Sequence, residues 1–414
     1  MNRFCTFLFL LLPLLIPNCC EGQTGTLGYY LQQGLANSPQ LNDYRNQAES
    51  SRYDSLKISA TRKPQVNLLG QVMVAPVWNN YGYDNAVTNG GNYALQMGVS
   101  QNLLNKQILA PQYENLRLES QAAGNSGITT THELSRSITA QYIQAYSDLL
   151  QLAHITTILQ LLKDESGVLK LLEEKGIYKA FDYTTFQVAL QAQEIALKQE
   201  SYQYRSDVYA LNMLCGINDT AVPTLAPPAI AGNALVGLSS SRFLTSYRID
   251  SLQISNRKLL AGANYKPRLS WFADGGLLGS QPAELYRNFG TSFGLNFSLP
   301  IYDGKQKQLE FKKIGLAENV RSVYETFFKK QYQQQITALI NALADNDQLI
   351  LQTTQQLHLS EEQIDLGKNQ LNRGTLPVSD FILALRTYNE IKTNLDQLKI
   401  RQLLLKNELN YWNW

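Results

Sequence analysis

The sequence predicts an α+β membrane protein built by duplication, with very long antiparallel helices joined to short β-strand pairs. Three observations carry this: an internal repeat, alternation of apolar with small polar residues, and long stretches with coiled-coil spacing. Gly176 and Gly374, Asp182 and Asp380, and Leu211-Asn212 and Leu409-Asn410 recur at an offset of 198 residues. Lys63-Pro64 and Lys266-Pro267 recur at 203, so the halves differ by only a few residues. A repeat this long signals duplicated architecture rather than a short-period solenoid.

Composition narrows the function. The 414 residues carry a formal net charge of +2 and only 17% charged side chains. A nucleic-acid binder needs a basic face to neutralise phosphates, and this chain is near neutral. Arg3 followed by the apolar run Phe4 to Ile16 reads as a secretory signal, too short to span a bilayer as a helix. Cleavage after Gly22 would leave Gln23 first and Cys215 as the one remaining cysteine, so no internal disulfide is expected. The competing reading is a lipoprotein signal with Cys19 or Cys20 acylated. Either way the chain is exported. Beyond the signal no stretch reaches the ~20 apolar residues of a membrane helix, so any spanning structure must be β.

The expected organisation is a signal peptide over 1–22, a first repeat over 23–217, a linker over 218–241 and a second repeat over 242–414. In the first half, elements are predicted at 40–62 (helix), 65–78 and 91–101 (strands), then 106–174 and 180–214 (helices). In the second they are predicted at 243–263, 268–279, 288–301, 305–372 and 378–411. The linker contains Pro223, Pro227 and Pro228 with small residues, which suits an irregular connection.

The strands rest on period-two alternation. Phe289, Phe293, Leu295 and Phe297 share one face, opposite Gly290, Ser292, Gly294 and Asn296. Tyr93, Leu95, Met97 and Val99 alternate in the same way, as do Val66, Leu68, Val72 and Val74. Such faces fit a lipid-facing barrel wall around a wet lumen, and equally one side of a soluble sheet. Export and aromatic residues near the strand ends (Trp78, Tyr81, Trp271, Tyr286, Tyr302) point to the membrane. Four strands cannot enclose a lumen, because single-chain barrels start at about eight. Several copies must therefore share one barrel.

From Lys305 to Asn372 no proline intervenes, a span on the order of 100 Å at helical rise. Ile336, Leu339, Leu343, Asn346, Ile350, Thr353, Leu357, Ser360, Ile364, Gly367 and Leu371 step by three and four, a seven-residue repeat. Gly124 and Gly127 are expected to weaken the first-half helix. The polar dilution of the seam suits a helix with more than one packing neighbour.

No catalytic constellation emerges. His132, His154 and His358 stand apart on helical stretches as solvated or packed residues, no phosphate-cradling glycine loop is present, and Cys215 reads as a packing residue. No enzyme activity, cofactor or metal is expected.

Three motifs carry a family resemblance. Leu27 to Pro39, followed by Leu41, resembles an "L…AL..NP.L" opening, and Leu299-Pro300-Ile301-Tyr302-Asp303-Gly304-Lys305 resembles a "P-L/I-aromatic-D-G-G" turn into a long helix. The first-half counterpart, Gln101 to Lys106, is degraded; Gly374 to Asp380 matches the tip motif, and Gly176 to Asp182 keeps its spacing. Over essentially the whole mature chain the sequence resembles the outer-membrane efflux protein (TolC-like) family.

That resemblance implies a homotrimer in the cell outer membrane, four strands per protomer closing a twelve-stranded barrel, with the helices forming a coiled-coil tunnel through the periplasm. It implies a passive exit duct of a tripartite efflux or type I secretion system, docked to a periplasmic adaptor and an inner-membrane pump. The alternative is an exported coiled-coil adaptor or scaffold without channel activity. By motif match Gly176, Gly374, Asp182 and Asp380 mark the periplasmic tip, where aspartates line the family's gate. First-turn aspartates also stabilise helix N-termini in any protein. Leu383 stands where relatives carry a second aspartate, and Leu376 where a hydrogen-bonding residue ties the gate. Lys175, Lys179 and Arg373 flank the tips as candidate adaptor contacts or as solvated helix-end cations. The last helix is expected to end the repeat at Trp414, without the extra C-terminal segment of longer relatives.

Overall fold

The computed structural model describes residues 25–79, 81–103, 106–232, 235 and 237–414. The expected signal peptide, with Cys19 and Cys20, lies outside the described residues, as do Leu104 and Asn105 of the first-half turn.

The elements run α1 (Leu27–Asn37), α2 (Pro39–Ala60), β1 (Gln65–Val74), the short α3 (Asn85–Thr88), β2 (Gly91–Asn102), α4 (Lys106–Glu174) and α5 (Ala180–Leu214). The second half repeats the order with α6 (Leu244–Ala263), β3 (Arg268–Gly279), β4 (Phe289–Ser298), α7 (Gln306–Asn372) and α8 (Val378–Trp412). Two strands are shorter than expected: β1 stops at Val74, where Ala75-Pro76 removes a ladder donor, and β4 stops before Pro300. The opening motif is a helix of its own, α1, separated from α2 by Ser38. The Ser38 hydroxyl accepts from the Leu41 N–H at 3.4 Å and Pro39 takes the first helical position, where no donor is missed. Gly124 and Gly127 do not interrupt α4, which runs unbroken for 69 residues and carries Pro111 inside it.

The residues pack as two compact units, and α4 and α7 contribute to both. One comprises 25–37, 137–231 and 344–407; the other comprises 38–136, 232–343 and 408–414. In the first unit the expected heptad is a buried seam: Asn346, Thr353, Leu357, Ser360, Ile364 and Leu371 are all buried. Asn346 Nδ2 donates to the Leu398 carbonyl at 3.0 Å, and Gly367 leaves room for the Phe381 ring, which a Cβ there would meet at 3.2 Å. α1 docks with Gly34 against Ile138 and Cys215, so close that a Cβ on Gly34 would collide with Ile138. Burial holds the Cys215 thiol up at about 11, protonated at neutral pH, which fits a packing residue. The linker is pinned rather than loose over 218–226: Tyr142 Oη bonds the carbonyls of Gly25 and Ala226, and Tyr204 Oη bonds that of Pro223 at 2.6 Å.

The second unit contains the sheet and an aromatic nest. His132 lies stacked between Tyr411 and Trp414, at ring separations of 4.9 and 4.2 Å, with Nε2 2.9 Å from the Tyr411 carbonyl. Burial depresses its pKa, so the ring packs as neutral imidazole. Arg136 covers the Tyr411 ring at 4.2 Å and pairs with Glu408 at 3.1 Å. His154, in the first unit, packs with Nε2 2.9 Å from Asn389 Oδ1, and His358 is exposed.

Candidate functional site: the two helical turns and the open sheet

Both turns end a long helix in the same way. At α4, the Gly176 N–H donates to the Glu173 carbonyl and the Ile177 N–H to that of Leu172, each at 2.9 Å. At α7, Gly374 donates to Leu371 and Thr375 to Gln370, each at 3.0 Å. This paired closure needs a left-handed residue after the helix. Gly176 and Gly374 supply it at φ +71° and +73°.

The two turns meet. The Tyr178 hydroxyl lies 2.9 Å from the Leu371 carbonyl and 2.8 Å from that of Leu376, and Ile177 packs onto Gly374. Tyr178 and Leu376 are themselves repeat equivalents, so each half supplies one partner of this bond. Beneath them Leu169, Phe186, Leu371, Val378 and Phe381 form a buried cluster, with Leu376 packed against it. Leu376 is therefore part of the core between the hairpins. Leu383 is 63% exposed, and Lys175, Lys179 and Arg373 are exposed as well.

The two aspartates differ. The Asp182 carboxylate accepts the Lys179 N–H at 3.1 Å and so serves the first turn of α5. At the equivalent place in the second half stands Pro377, which has no N–H to offer. Asp380 is exposed, and its carboxylate accepts only from the neighbouring Ser379 hydroxyl, at 3.2 Å, among the bonds described. One aspartate is engaged in the backbone and the other projects to solvent.

Farther along the first unit are two buried carboxylates that sequence reading passed over. Glu165 is 2% exposed, with Lys368 Nζ at 3.1 Å joining α4 to α7. Asp148 is buried with Asp207 and Glu200 of α5 nearby, and burial, then Asp207, pushes its pKa up to about 8. A run of exposed-looking helix gives no sign of these pairings, because each depends on which helix lies opposite.

The sheet is antiparallel in the order β1-β2-β3-β4. Its register aligns Leu68 with Met97, Met97 with Gly275, and Gly275 with Thr291, which puts the alternating apolar residues of β1, β2 and β4 on one face. On that face Leu68, Val72, Phe289, Phe293, Leu295 and Phe297 are each more than 65% exposed. The opposite face carries Asn67, Gln71, Gln96, Ser100, Asp274, Ser292 and Asn296, together with the apolar Leu69, Met73, Phe272 and Leu278. β1 and β4 are the sheet's outer strands, with one ladder partner each. An apolar face without cover and two open edges together are costly in water.

A four-stranded, two-faced sheet joined to two long helical hairpins defines the fold of outer-membrane channel protomers. Among solved structures, the outer membrane protein VceC of Vibrio cholerae matches at a TM-score of 0.73 and 15% identity, covering 94% of this chain and 95% of its own. A membrane protein of Pseudomonas aeruginosa matches at 0.74 and 14%, covering 94% and 90%. The MtrE outer membrane channel of Neisseria gonorrhoeae matches at 0.73 and 13%, covering 94% and 88%. No protein-family model and no curated protein matches the sequence. At this identity the likeness shows the fold, which is the one the TolC-like resemblance implies.

Proposed function

We infer that the chain is one protomer of a homotrimeric outer-membrane exit duct in a tripartite efflux or secretion system. The observation that carries this is the sheet: one face apolar and bare, the other mainly polar, both edges open. Each protomer enters and leaves the sheet with antiparallel neighbours, so β4 of one copy can pair β1 of the next without a break in the ladder. Three copies give twelve strands, enough to enclose a lumen lined by the Asn, Gln and Ser face. Apolar side chains then meet lipid, and no backbone edge is left exposed to it. Passive conduction needs no catalytic group.

The paired turns are the natural closure of such a duct on the periplasmic side. With three copies, Asp182 and Asp380 put six carboxylates around the axis, which favours cations at a narrow mouth. Asp380 is the better pore residue of the two, because Asp182 is spent on its own helix. Lys175, Lys179 and Arg373 remain exposed for a periplasmic adaptor and its inner-membrane pump. The neighbours' description as channels favours this reading over a scaffold or an enzyme.

The test is extraction and single-channel recording of purified protein. A detergent-requiring trimer with stepwise conductance is expected, and Asp380→Ala should lower cation selectivity more than Asp182→Ala. Protein that is monomeric and soluble without detergent would refute the duct. Unchanged selectivity in Asp380→Ala would remove that residue from the mouth.

A further inference from the structure

Charge is distributed very unevenly between the two ends of the sheet. β1 starts, β2 ends, β3 starts and β4 ends at one edge, as the pairs Gln65 with Ser100 and Arg268 with Ser298 show. Four helices attach at that edge. Lys57, Arg62 and Lys63 close α2, and Lys106 opens α4. Lys266 and Arg268 bracket the α6–β3 turn, and Lys305, Lys307, Lys312 and Lys313 open α7. With Arg257 and Lys258 of α6, the strand junctions and the eight helical residues adjoining them carry 12 of the chain's 36 Lys and Arg but only three of its 34 Asp and Glu. At the other edge the two connections carry Asp84, Glu284 and Arg287. A chain of net charge +2 thus concentrates its positive charge in one collar.

The collar is accessible and lies beside apolar surface. All these cations are exposed except the half-buried Lys307. Lys258 and Lys307 hold their Nζ over the Phe311 ring, 5.5 and 5.9 Å from its centre. Ile301 and Tyr302, between β4 and α7, are 93% and 83% exposed. The order from strand to helix is therefore bare apolar face, exposed aromatic and aliphatic residues, then cations. Eight helical residues span about 12 Å, close to one Debye length at 0.1 M salt, so the collar acts as one patch.

We propose that this collar binds the anionic phospholipid headgroups of the leaflet on the helix side of the barrel, and so sets the depth and direction in which the barrel sits. The proposal rests on the duct reading, which supplies the membrane. Lipid phosphates complement the collar in charge and lie where the apolar face ends. Lys and Arg reach them on flexible stems without burial of an unpaired charge. The weakly acidic far edge adds no competing attraction.

The experiment compares insertion into zwitterionic phosphatidylcholine vesicles and into vesicles with a quarter phosphatidylglycerol. The collar variant is Lys57→Gln, Arg62→Gln, Lys63→Gln, Lys266→Gln and Lys312→Gln. The control removes five exposed cations elsewhere: Lys170→Gln, Lys198→Gln, Arg386→Gln, Lys399→Gln and Arg401→Gln. Wild type and control should insert about tenfold faster into the anionic vesicles at low salt, with the gain lost in the collar variant and in 0.5 M salt. Equal insertion into both vesicles by wild type, or equal loss in both variants, would overturn the lipid collar while leaving the duct intact. Failure of wild type to insert into either vesicle would overturn the duct and the collar together. Competition by inorganic phosphate beyond that of chloride at matched ionic strength would assign the cations to a free anion, against the proposal. Binding to soluble polyglutamate with no preference among vesicles would assign them to an acidic protein, also against it.

Discussion

Gly176 and Gly374 have the same backbone angles and different surroundings, which lets the contact between the two turns be measured. In Gly176→Ala the added Cβ meets nothing within 4 Å, so the cost is that of a left-handed alanine, about 1 kcal/mol. In Gly374→Ala the same backbone cost applies, and the Cβ also runs into Ile177 Cγ2. Overpacking of this kind adds about 1–3 kcal/mol. Hydrogen exchange of the turn amides is the assay, since Ile177 and Thr375 each donate to a helix-end carbonyl. Protection should fall about fivefold in Gly176→Ala and about 5- to 140-fold further in Gly374→Ala, at about 1.4 kcal/mol per decade. Ile177→Ala should restore that additional loss in the Gly374→Ala background, giving a coupling of about 1–3 kcal/mol in a double-mutant cycle. Equal losses in the two glycine variants, or zero coupling with Ile177, would show that the turns do not press on each other.

Two further outcomes follow from the buried carboxylates. Lys368→Met leaves Glu165 buried without its cation and should destabilise by about 2–4 kcal/mol in thermal melts, whereas adding Glu165→Leu should recover most of the loss; equal stability of Lys368→Met and wild type would contradict the pairing. Asp148 has a folded pKa raised to about 8 above an ordinary value of 3.8, so its favourable contribution is complete below about pH 4 and is lost as pH rises toward 8. Melting temperature should accordingly fall between pH 5 and 8 with a shallower slope in Asp148→Asn; an identical slope in the variant would place the titration elsewhere.

Much of the local architecture is written in short-range pattern. A helix of 67 residues follows from a proline-free stretch with heptad spacing from Ile336 to Leu371, and the strands follow from alternation, because both periods are imposed by backbone geometry. The two tip glycines were legible from their offset, since a left-handed closure after a helix admits little else. Even the unequal aspartates were legible in principle: Pro377 lacks the donor that Lys179 offers to Asp182. α1 was missed as a helix because eleven residues have little helical stability alone, and it is held by the fit of Gly34 to Ile138.

The repeat, the two faces of each strand and the insufficiency of four strands are properties of residue order, and sequence alone determined them. Tertiary structure decided which distant groups meet: Tyr178 with the carbonyls of Leu371 and Leu376, Glu165 with Lys368, and His132 between Tyr411 and Trp414. It also decided that cations from four separate stretches gather at one edge of the sheet. The reason is physical. Backbone periodicity acts over a few residues, whereas partners up to some 280 positions apart are chosen only when whole helices and strands pack.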